Sequence, residues 1–382
     1  MISKITPVKV IHFTKISVAL ACAWPPPPNA TKSDIVSFKI LWHVCYLSNI
    51  LLLLPLLSSI YEYRDDPVIL AKSVCLSCAA IQVTIKMMVC RIKQDCFQNN
   101  TYKWLMLYHE VEMFCKQANE KTNIILQYYV DNYKRIYGIY ILWVYMTAIG
   151  VIFGPLILPQ EFPTYAKYPF STQPPIKYII YLHQSLVGIQ AAAGMCIDCN
   201  FAILLFYSVA RLDLLIQKIR NVKNENELDE CIKLHDEILR YTNKLINVVR
   251  PLIFTTIMTT IIGVVFGGLN LVTEQPIMVK IQYSVVVFIA SVELFMCALP
   301  ADNLIHMSSK MCEGAYESQW FQGSMSMQKK ILQIMFRSQK PEVISIDGIL
   351  PALSFRYYAG FLYTSCSYFT AVRIMVNKNT ID

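Results

Sequence analysis

Ionisable side chains inside long apolar stretches are the first candidates for chemistry in this sequence. Asp198 and Glu293 each lie deep in such a stretch, and Lys72 and Lys86 lie together in another. A carboxylate surrounded by hydrocarbon is costly, so it is a functional candidate by default. A structural interpretation stands beside it: both carboxylates face cytoplasmic water or a neighbouring helix, and each lysine extends its ammonium to the nearer boundary of the apolar layer.

Two Cys-x-x-Cys pairs have a spacing that also occurs in metal and redox sites. Cys75 with Cys78, and Cys196 with Cys199, fall inside apolar stretches, where cysteine behaves as a small hydrophobic residue. The six histidines form no cluster in the sequence, which also lacks a phosphate-binding glycine loop, an HExxH motif and a GxSxG motif. We therefore expect no enzyme activity, no metal site and no cofactor.

Hydroxyl groups are dense in the last apolar stretch, where a purely structural helix in lipid would carry aliphatic side chains. They belong to Ser354, Tyr357, Tyr358, Tyr363, Thr364, Ser365, Ser367, Tyr368 and Thr370. Hydroxyl oxygens at this density line a water path and contact a passing cation without fixing it. They equally suit bonds to other helices or a place at the membrane interface. The residues alone leave both interpretations open.

The composition indicates that lipid is the solvent of much of this chain. Of its 382 residues 55% are hydrophobic and 16% are charged, whereas a globular protein is about one quarter charged. Crossing a bilayer takes about 20 apolar residues. Seven stretches meet or approach this length, at 40–60, 67–90, 136–158, 178–207, 252–272, 281–299 and 344–376. The sequence therefore predicts an all-α polytopic membrane protein with seven transmembrane helices.

The basic residues predict the orientation of these helices. Lys and Arg concentrate in the N-terminal segment and in the second, fourth and sixth loops. The remaining loops and the C-terminal tail carry only Arg64, Lys167, Lys177, Lys280 and Lys378. Because basic residues favour the cytoplasm, we expect a cytoplasmic N-terminus and an extracellular C-terminus. This distribution also explains the net charge of +8 without a nucleic-acid partner.

The fourth loop is too long and too regularly patterned to be a simple connector. Apolar or aromatic residues recur every three or four positions, at Leu228, Ile232, His235, Ile238, Tyr241, Leu245 and Val249. This spacing forms one face of an amphipathic helix. It predicts a cytoplasmic helical hairpin that extends spans four and five, with its apolar stripe buried against the same bundle or against a partner subunit.

The C-terminal part of the sequence resembles the insect odorant receptor family. The resemblance is carried by Ala-Tyr-Glu-Ser-Gln-Trp at 315–320, Arg-Ser-Gln-Lys-Pro at 337–341 and Phe-Leu-Tyr-Thr-Ser-Cys-Ser-Tyr-Phe-Thr-Ala-Val-Arg at 361–373. The last of these is similar to the family's serine-tyrosine-phenylalanine-threonine ending. Trp24 followed by Pro25, before the first span, also fits the family's N-terminal pattern.

The resemblance implies the odorant-specific subunit of an odorant-gated, nonselective cation channel in the plasma membrane of olfactory sensory neurons. Its implied partners are a small volatile odorant, membrane lipid and a co-receptor, with which it forms a heteromeric tetramer. The implied organisation is a cytoplasmic N-terminal segment (1–39), helices one to six with cytoplasmic helical extensions (40–300), a cytoplasmic anchor (301–343), a pore-lining seventh helix (344–376) and an extracellular tail (377–382).

The resemblance also implies functional residues. Tyr316 and Trp320 belong to the subunit anchor, and the pore and gate fall at Ser365, Tyr368, Ala371 and Val372. The odorant pocket is implied in the outer half, among helices two, three, four and six. Its expected residues are Ser73, Ser77, Met146, Ile149, Phe153, Tyr181, Gln184, Tyr283 and Val287.

Three other classes of membrane protein compete with this interpretation. A gustatory receptor of the same superfamily usually ends in a Thr-Tyr pair before a Gln-Phe pair, a form that 368–375 lacks. A G-protein-coupled receptor requires an external N-terminus, and the sequence has neither its aspartate-arginine-tyrosine triplet after span three nor NPxxY in span seven. A transporter would show internal repeats and Gly- or Pro-broken helices in both halves, and the sequence shows no such symmetry.

Overall fold

The computed structural model describes residues 5–24, 26, 30–95, 103–157, 160–272 and 276–379. In these ranges the chain is almost entirely helical, and pairing of the β type is limited to an isolated bridge between Ile346 and Leu350. The helices are α1 (Pro7–Ser17), α2 (Lys32–Glu62), α3 (Pro67–Asp95), α4 (Lys103–Gln117), α5 (Glu120–Ile157), α6 (Ile176–Met195), α7 (Ile197–Arg220), α8 (Glu225–Val272), α9 (Ile277–Tyr316), α10 (Met325–Ser338) and α11 (Phe355–Asn379).

Most of these helices have the length and apolar composition of membrane spans. Among the described residues six segments qualify, namely Lys32–Glu62, Ile69–Arg91, Glu120–Ile157, Ile176–Arg220, Glu225–Val272 and Ile277–Gln322. The fourth segment joins α6 and α7, which only Cys196 separates. All six coincide with predicted spans, and α11 occupies most of the predicted seventh. The prediction of an all-α, multi-pass membrane architecture is confirmed.

The first span begins earlier than its apolar residues do. Thr31 accepts a hydrogen bond from the backbone N–H of Asp34, and the Asp34 carboxylate accepts one from the backbone N–H of Thr31. This reciprocal cap satisfies two backbone donors that a helix start leaves open. Helix α2 therefore begins at Lys32, although hydropathy alone places the span at 40–60.

The last helix begins later than predicted, so the start of the predicted span 344–376 is wrong. Helix α11 begins at Phe355, and the residues before it form an irregular segment that contains Gly348 and Pro351. The apolar residues of this segment are buried against the bundle, with Ile344, Leu350 and Leu353 at most 1% exposed. They are apolar because they pack against protein, and not because they cross lipid.

The predicted hairpin is present and packs against its own chain. Helices α7 and α8 meet in a short turn after Arg220, and α8 continues without a break through the amphipathic stretch. Its stripe is buried, with Leu228, Ile238 and Leu245 fully inaccessible. Of the two partners that the sequence left open, the bundle of the same chain therefore covers the stripe.

The bundle has two ends that differ in the elements they carry. The base is the end that carries α4, α10 and the turn between α7 and α8. The loop end is the opposite end, where residues 160–175 connect α5 to α6. Helix α7 runs to the base and is buried at most of its positions, so it forms the centre of the packing there.

A glycine permits the close contact between α7 and α9 near the base. A Cβ atom added to Gly314 would lie 2.7 Å from Cγ2 of Ile216 and 3.5 Å from its Cβ. The side chain of Ile216 branches at Cβ, so this methyl group has little freedom to move away. The two helices are therefore as close as a glycine allows.

We predict that Gly314→Ala lowers the melting temperature of the detergent-solubilised protein. Overpacking at this contact is expected to reduce the free energy of unfolding by about 1–3 kcal/mol. Gly138→Ala is the matched control, because nothing lies within 4 Å of its added Cβ and alanine favours the helix. Thermal unfolding of both variants is the measurement. Equal melting temperatures would contradict the close contact.

Candidate functional site

A buried ion cluster joins three helices in the middle of the bundle. Nζ of Lys86 in α3 lies 2.9 Å from Oδ2 of Asp198 in α7 and 2.9 Å from Oε1 of Glu293 in α9. All three side chains are at most 2% exposed. Gln82, one turn before Lys86, donates to the same Glu293 oxygen at 2.6 Å. The cluster holds two acidic groups and one lysine, and it ties α3, α7 and α9 at one depth.

This cluster corrects the structural interpretation of Lys86 and decides between the two alternatives for the carboxylates. Lys86 does not extend to a boundary of the apolar layer, and Asp198 and Glu293 face a neighbouring helix rather than water. The lysine instead stays inside because two carboxylates from distant parts of the chain offset the cost of burying its charge. Neither carboxylate is near Lys86 in the sequence, so no local pattern indicates the pairing.

We predict that Lys86→Met lowers stability by about 3–5 kcal/mol, because it leaves two carboxylates buried without their cation. Combining it with Asp198→Asn and Glu293→Gln removes the charges and is expected to recover much of the loss. Melting temperature and monodispersity after solubilisation are the measurements.

Lys218→Met is the matched control for this prediction. Lys218 lies 2.9 Å from Glu230, the same distance as in the cluster, but both side chains are largely exposed. An exposed ion pair contributes little because water screens it, so this variant is expected to melt close to the parent. If Lys86→Met and Lys218→Met melt alike, the cluster has no special role in stability.

Residues 160–175 pack over the loop end as a cover, and Gln184 of α6 fixes it. Oε1 of Gln184 accepts from the backbone N–H of Thr164 at 2.9 Å and from its hydroxyl at 3.0 Å. Nε2 of the same amide donates to the Tyr168 hydroxyl at 3.1 Å. Burial raises the pKa of Tyr168, and the hydrogen bond from Gln184 opposes this shift. Both the oxygen and the nitrogen of the Gln184 amide thus hold the cover.

Several predicted ligand residues lie inside the bundle beneath this cover. The hydroxyl groups of Ser73 and Ser59 are 2.9 Å apart and join α3 to α2. Ser77 is 2% exposed, and among the described residues its hydroxyl has no hydrogen-bond partner. Tyr283 and Val287 of α9 face α8, where a Cβ on Gly267 would lie 2.7 Å from Cγ2 of Val287. The interior at the loop end is therefore lined by α3, α8 and α9.

The remaining predicted ligand residues lie elsewhere. Met146, Ile149 and Phe153 are 57%, 41% and 52% exposed on the outward face of α5. Tyr181 donates to the carbonyl of Ile152 at 2.7 Å and so lies at the contact between α5 and α6. Within a single chain the structure does not bring these residues together with Ser77 and Tyr283.

Nothing in the sequence indicates a contact between two residues at the loop end, Lys72 and Tyr165. Lys72 is buried beneath the cover and donates to the hydroxyl of Tyr165 at 3.2 Å. Lysine near a helix end is expected to reach water, and a tyrosine in a loop carries no signal of its own. Only the folded cover shows that the two residues meet.

A cavity of about 430 Å³ lies between α1, α5 and α7, towards the base. Its walls are mainly apolar and aromatic and include Val10, Tyr133 and Phe206. None of the predicted ligand residues lines this cavity. It is therefore separate from the candidate site at the loop end.

Helix α11 differs from the other outward-facing helices in the chemistry of its exposed face. Helices α2 and α5 expose aliphatic side chains such as Leu51, Leu54 and Leu142. Helix α11 instead exposes hydroxyl-bearing residues, which are Tyr363, Thr364, Ser367, Tyr368 and Thr370. A surface of this kind is unfavourable against lipid tails, which indicates that this face contacts water or another chain.

The small hydroxyls of this face are already oriented by their own helix. Thr364, Ser367 and Thr370 each donate to the carbonyl one turn earlier, at 2.9, 3.0 and 2.9 Å. Their donors are used, so their oxygen lone pairs remain for water or a cation. Of the predicted gate residues, Ala371 is exposed on this helix, and the side chain of Val372 lies outside the described residues.

The predicted anchor forms an exposed apolar patch at the base. Helix α10 buries Ile331 and Ile334 against the bundle and exposes Leu332 and Phe336 on its other side. Tyr316 is 67% exposed, whereas Trp320 is half-buried against the core. Lys330 fixes α10 to the start of α8 through ion pairs to two acidic residues there.

The fold and its candidate sites define a class, an all-helical multi-pass membrane protein with a covered loop end and one polar outward helix. The chain matches the model of the 7tm Odorant receptor family over residues 66–353. This range is most of its length, and the chain belongs to that family.

Relatives agree with this membership, and solved structures agree with the fold. The chain is 22% identical to Odorant receptor 49a of Drosophila melanogaster, over 76% of this chain and 79% of the relative. It is 24% identical to Odorant receptor 24a of the same species, over 70% of this chain and 66% of the relative. It is similar in fold to the insect olfactory receptor OR5 from Machilis hrabei, solved alone (TM-score 0.82, 15% identity, 95% and 97% of the two chains covered). For the structure of OR5 in complex with eugenol the TM-score is 0.80 and the identity 16%, with 96% of this chain and 98% of OR5 covered.

Proposed function

We propose that this odorant receptor is the odorant-specific subunit of a ligand-gated, nonselective cation channel. One observation carries the channel proposal: the outward face of α11 is lined by hydroxyl groups, and those of Thr364, Ser367 and Thr370 use their donors within the helix. In a tetramer this face turns towards the symmetry axis, away from lipid. Oriented oxygens without fixed charge suit passage of cations with little discrimination among them.

The odorant site is proposed at the loop end, beneath the cover held by Gln184. Its residues are Ser73, Ser77, Tyr283 and Val287, which lie inside the bundle on α3 and α9. OR5, which is similar in fold, is solved in complex with eugenol, which favours a small organic ligand here as well. Such a ligand is held by burial of apolar surface, at about 25 cal/mol per Å².

The partner proposed for this subunit is a co-receptor, joined at the base in a heteromeric tetramer. The exposed apolar side of α10, with Tyr316 and Trp320, supports a subunit contact there, because such a patch is seldom left open to water.

Ser365, Tyr368, Ala371 and Val372 are proposed for the pore and gate. The proposed location is the plasma membrane of olfactory sensory neurons, with the base and N-terminus in the cytoplasm and the C-terminus outside. Receptor function of this kind requires no enzyme activity.

Gating follows if an odorant prefers the open arrangement of the helices to the closed one. We predict an inward cation current in cells that express this chain with an insect co-receptor, for some members of a panel of volatile esters, alcohols, ketones, acids and hydrocarbons. Cells with the co-receptor alone are the control. Whole-cell recording is the measurement, and silence across the panel despite surface expression would contradict the proposal.

A matched pair of variants locates the ligand within the chain. Tyr283 is 4% exposed beneath the cover, whereas Ile281 on the same helix is 54% exposed. Tyr283→Ala is expected to shift the odorant concentration for half-maximal current by about tenfold or more, since truncating a buried aromatic contact costs at least about 1.4 kcal/mol. Ile281→Ala should leave it nearly unchanged.

A further inference from the structure

A buried lysine and a tyrosine form a polar pair at the loop end. Nζ of Lys72 lies 3.2 Å from the Tyr165 hydroxyl and 4.6 Å from the centre of its ring. Lys72 is only 9% exposed. Tyr165 belongs to the cover and follows Thr164, whose backbone N–H donates to Gln184, and Lys72 directly precedes Ser73 of the proposed odorant site on α3.

Lys72 lacks the carboxylate that a buried lysine normally has. Among the described residues no carboxylate oxygen lies within 4.0 Å of its ammonium, whereas the exposed lysines of this end, Lys167 and Lys177, are paired with Glu62 and Glu161. Burying an ammonium without an opposite charge is costly. The ring and hydroxyl of Tyr165 offset part of that cost, and an anion at this place would offset the rest.

The donors of the pair also match such an anion. An ammonium has three N–H groups, and the Tyr165 oxygen accepts from it. The hydroxyl proton of Tyr165 has no acceptor among the residues that the structure describes. Free donors on two neighbouring groups fit the two oxygens of a carboxylate.

The surroundings of the pair are apolar on the side of the bundle. Leu76 follows Lys72 by one helical turn and packs against a buried cluster of Leu52, Leu56 and Val187. A molecule with a carboxylate at one end and a hydrocarbon tail at the other matches this arrangement of charge above apolar surface.

We propose that Lys72 and Tyr165 form a carboxylate-binding part of the odorant site, so that this receptor prefers aliphatic carboxylic acids to neutral odorants of equal length. This inference rests on the proposed odorant site. Lys72 donates to one carboxylate oxygen and Tyr165 to the other, and the tail packs towards Leu76. Lys72 thereby determines the ligand class, and the apolar residues determine its size.

The test measures binding to the complex of this chain with its co-receptor in phosphatidylcholine nanodiscs, with whole-cell current recorded in parallel. The probes are octanoate, methyl octanoate and 1-octanol. The parent complex is expected to bind octanoate most tightly. Lys72→Met should weaken octanoate binding by about tenfold to hundredfold, because a hydrogen bond to a charged group is lost, and leave the ester and the alcohol within about twofold. Tyr165→Phe should weaken octanoate by about two- to tenfold.

Two further variants separate recognition from other roles of the charge. Lys72→Arg keeps the charge and should retain the preference for octanoate. Lys167→Met removes a positive charge from the same end, at a lysine that is 45% exposed, and should not affect octanoate selectively. Nanodiscs that contain phosphatidic acid test whether a lipid headgroup takes this place, and loss of octanoate binding there would assign Lys72 to lipid and overturn the proposal.

Three other results would overturn it: no octanoate binding to the parent complex, an equal loss for all three probes in Lys72→Met, or the same loss in Lys167→Met. An equal loss would mean that the pair only holds the cover. Currents evoked by neutral odorants without binding of octanoate would leave the channel proposal intact. Lys72-dependent binding of octanoate without any evoked current would contradict the channel proposal and leave the carboxylate site intact.

Discussion

The contact of Lys86 with Asp198 and Glu293 is the constraint on which the rest of the bundle depends. In hydrocarbon no water is present to solvate these charges, so the three helices that carry them must stay at one relative depth. Moving α3, α7 or α9 along its axis would expose an uncompensated charge to lipid. Gln82 adds a further hydrogen bond to Glu293, and the contact of α7 with α9 at Gly314 continues the packing to the base.

This constraint relates the candidate ligand site to the rest of the chain. Lys72 precedes Lys86 by 14 residues on α3, which is a rise of about 21 Å along a helix. Lys72 and Lys86 are thus carried by the same helix, with Lys72 beneath the cover and Lys86 in the ion cluster. A ligand that moves Lys72 acts on the helix that also carries Lys86, and through it on α9, against which α11 packs at Phe295 and Phe355.

Hydropathy and charge predicted the spans, and the 3.6-residue period predicted the hairpin of α7 and α8, because both features are local in the sequence. The start of α2 was also encoded locally, in Thr31 and Asp34, although hydropathy overlooks a capping box. The ion cluster was not predictable, since its three partners come from distant segments. Hydropathy placed the start of the seventh span too early, so that it included Ile344 and Leu353. Burial in protein and burial in lipid favour the same apolar side chains, so hydropathy does not distinguish them.

The candidate site was predictable only in part for the same reason. Helical spans fixed which residues lie near the loop end, but not which face of each helix turns inward, so Ser77 and Met146 were predicted together and lie on opposite sides. From the sequence, Lys72 is expected to reach water. In the structure the cover places Tyr165 over its ammonium. The hydroxyls of α11, by contrast, were visible in the sequence, and the structure adds that five of them, at 363, 364, 367, 368 and 370, share the exposed face.

The central claim is that this face of α11 lines the cation path. It is tested most directly by a positively charged thiol reagent applied during odorant stimulation to Ser367→Cys in a Cys366→Ser background, since Cys366 is itself an exposed thiol on α11. Leu51→Cys in the same background, on the aliphatic face of α2, is the control. Loss of odorant-evoked current is expected in the Ser367→Cys channel alone. Labelling of that cysteine with unchanged current, or an equal loss in the α2 variant, would contradict it.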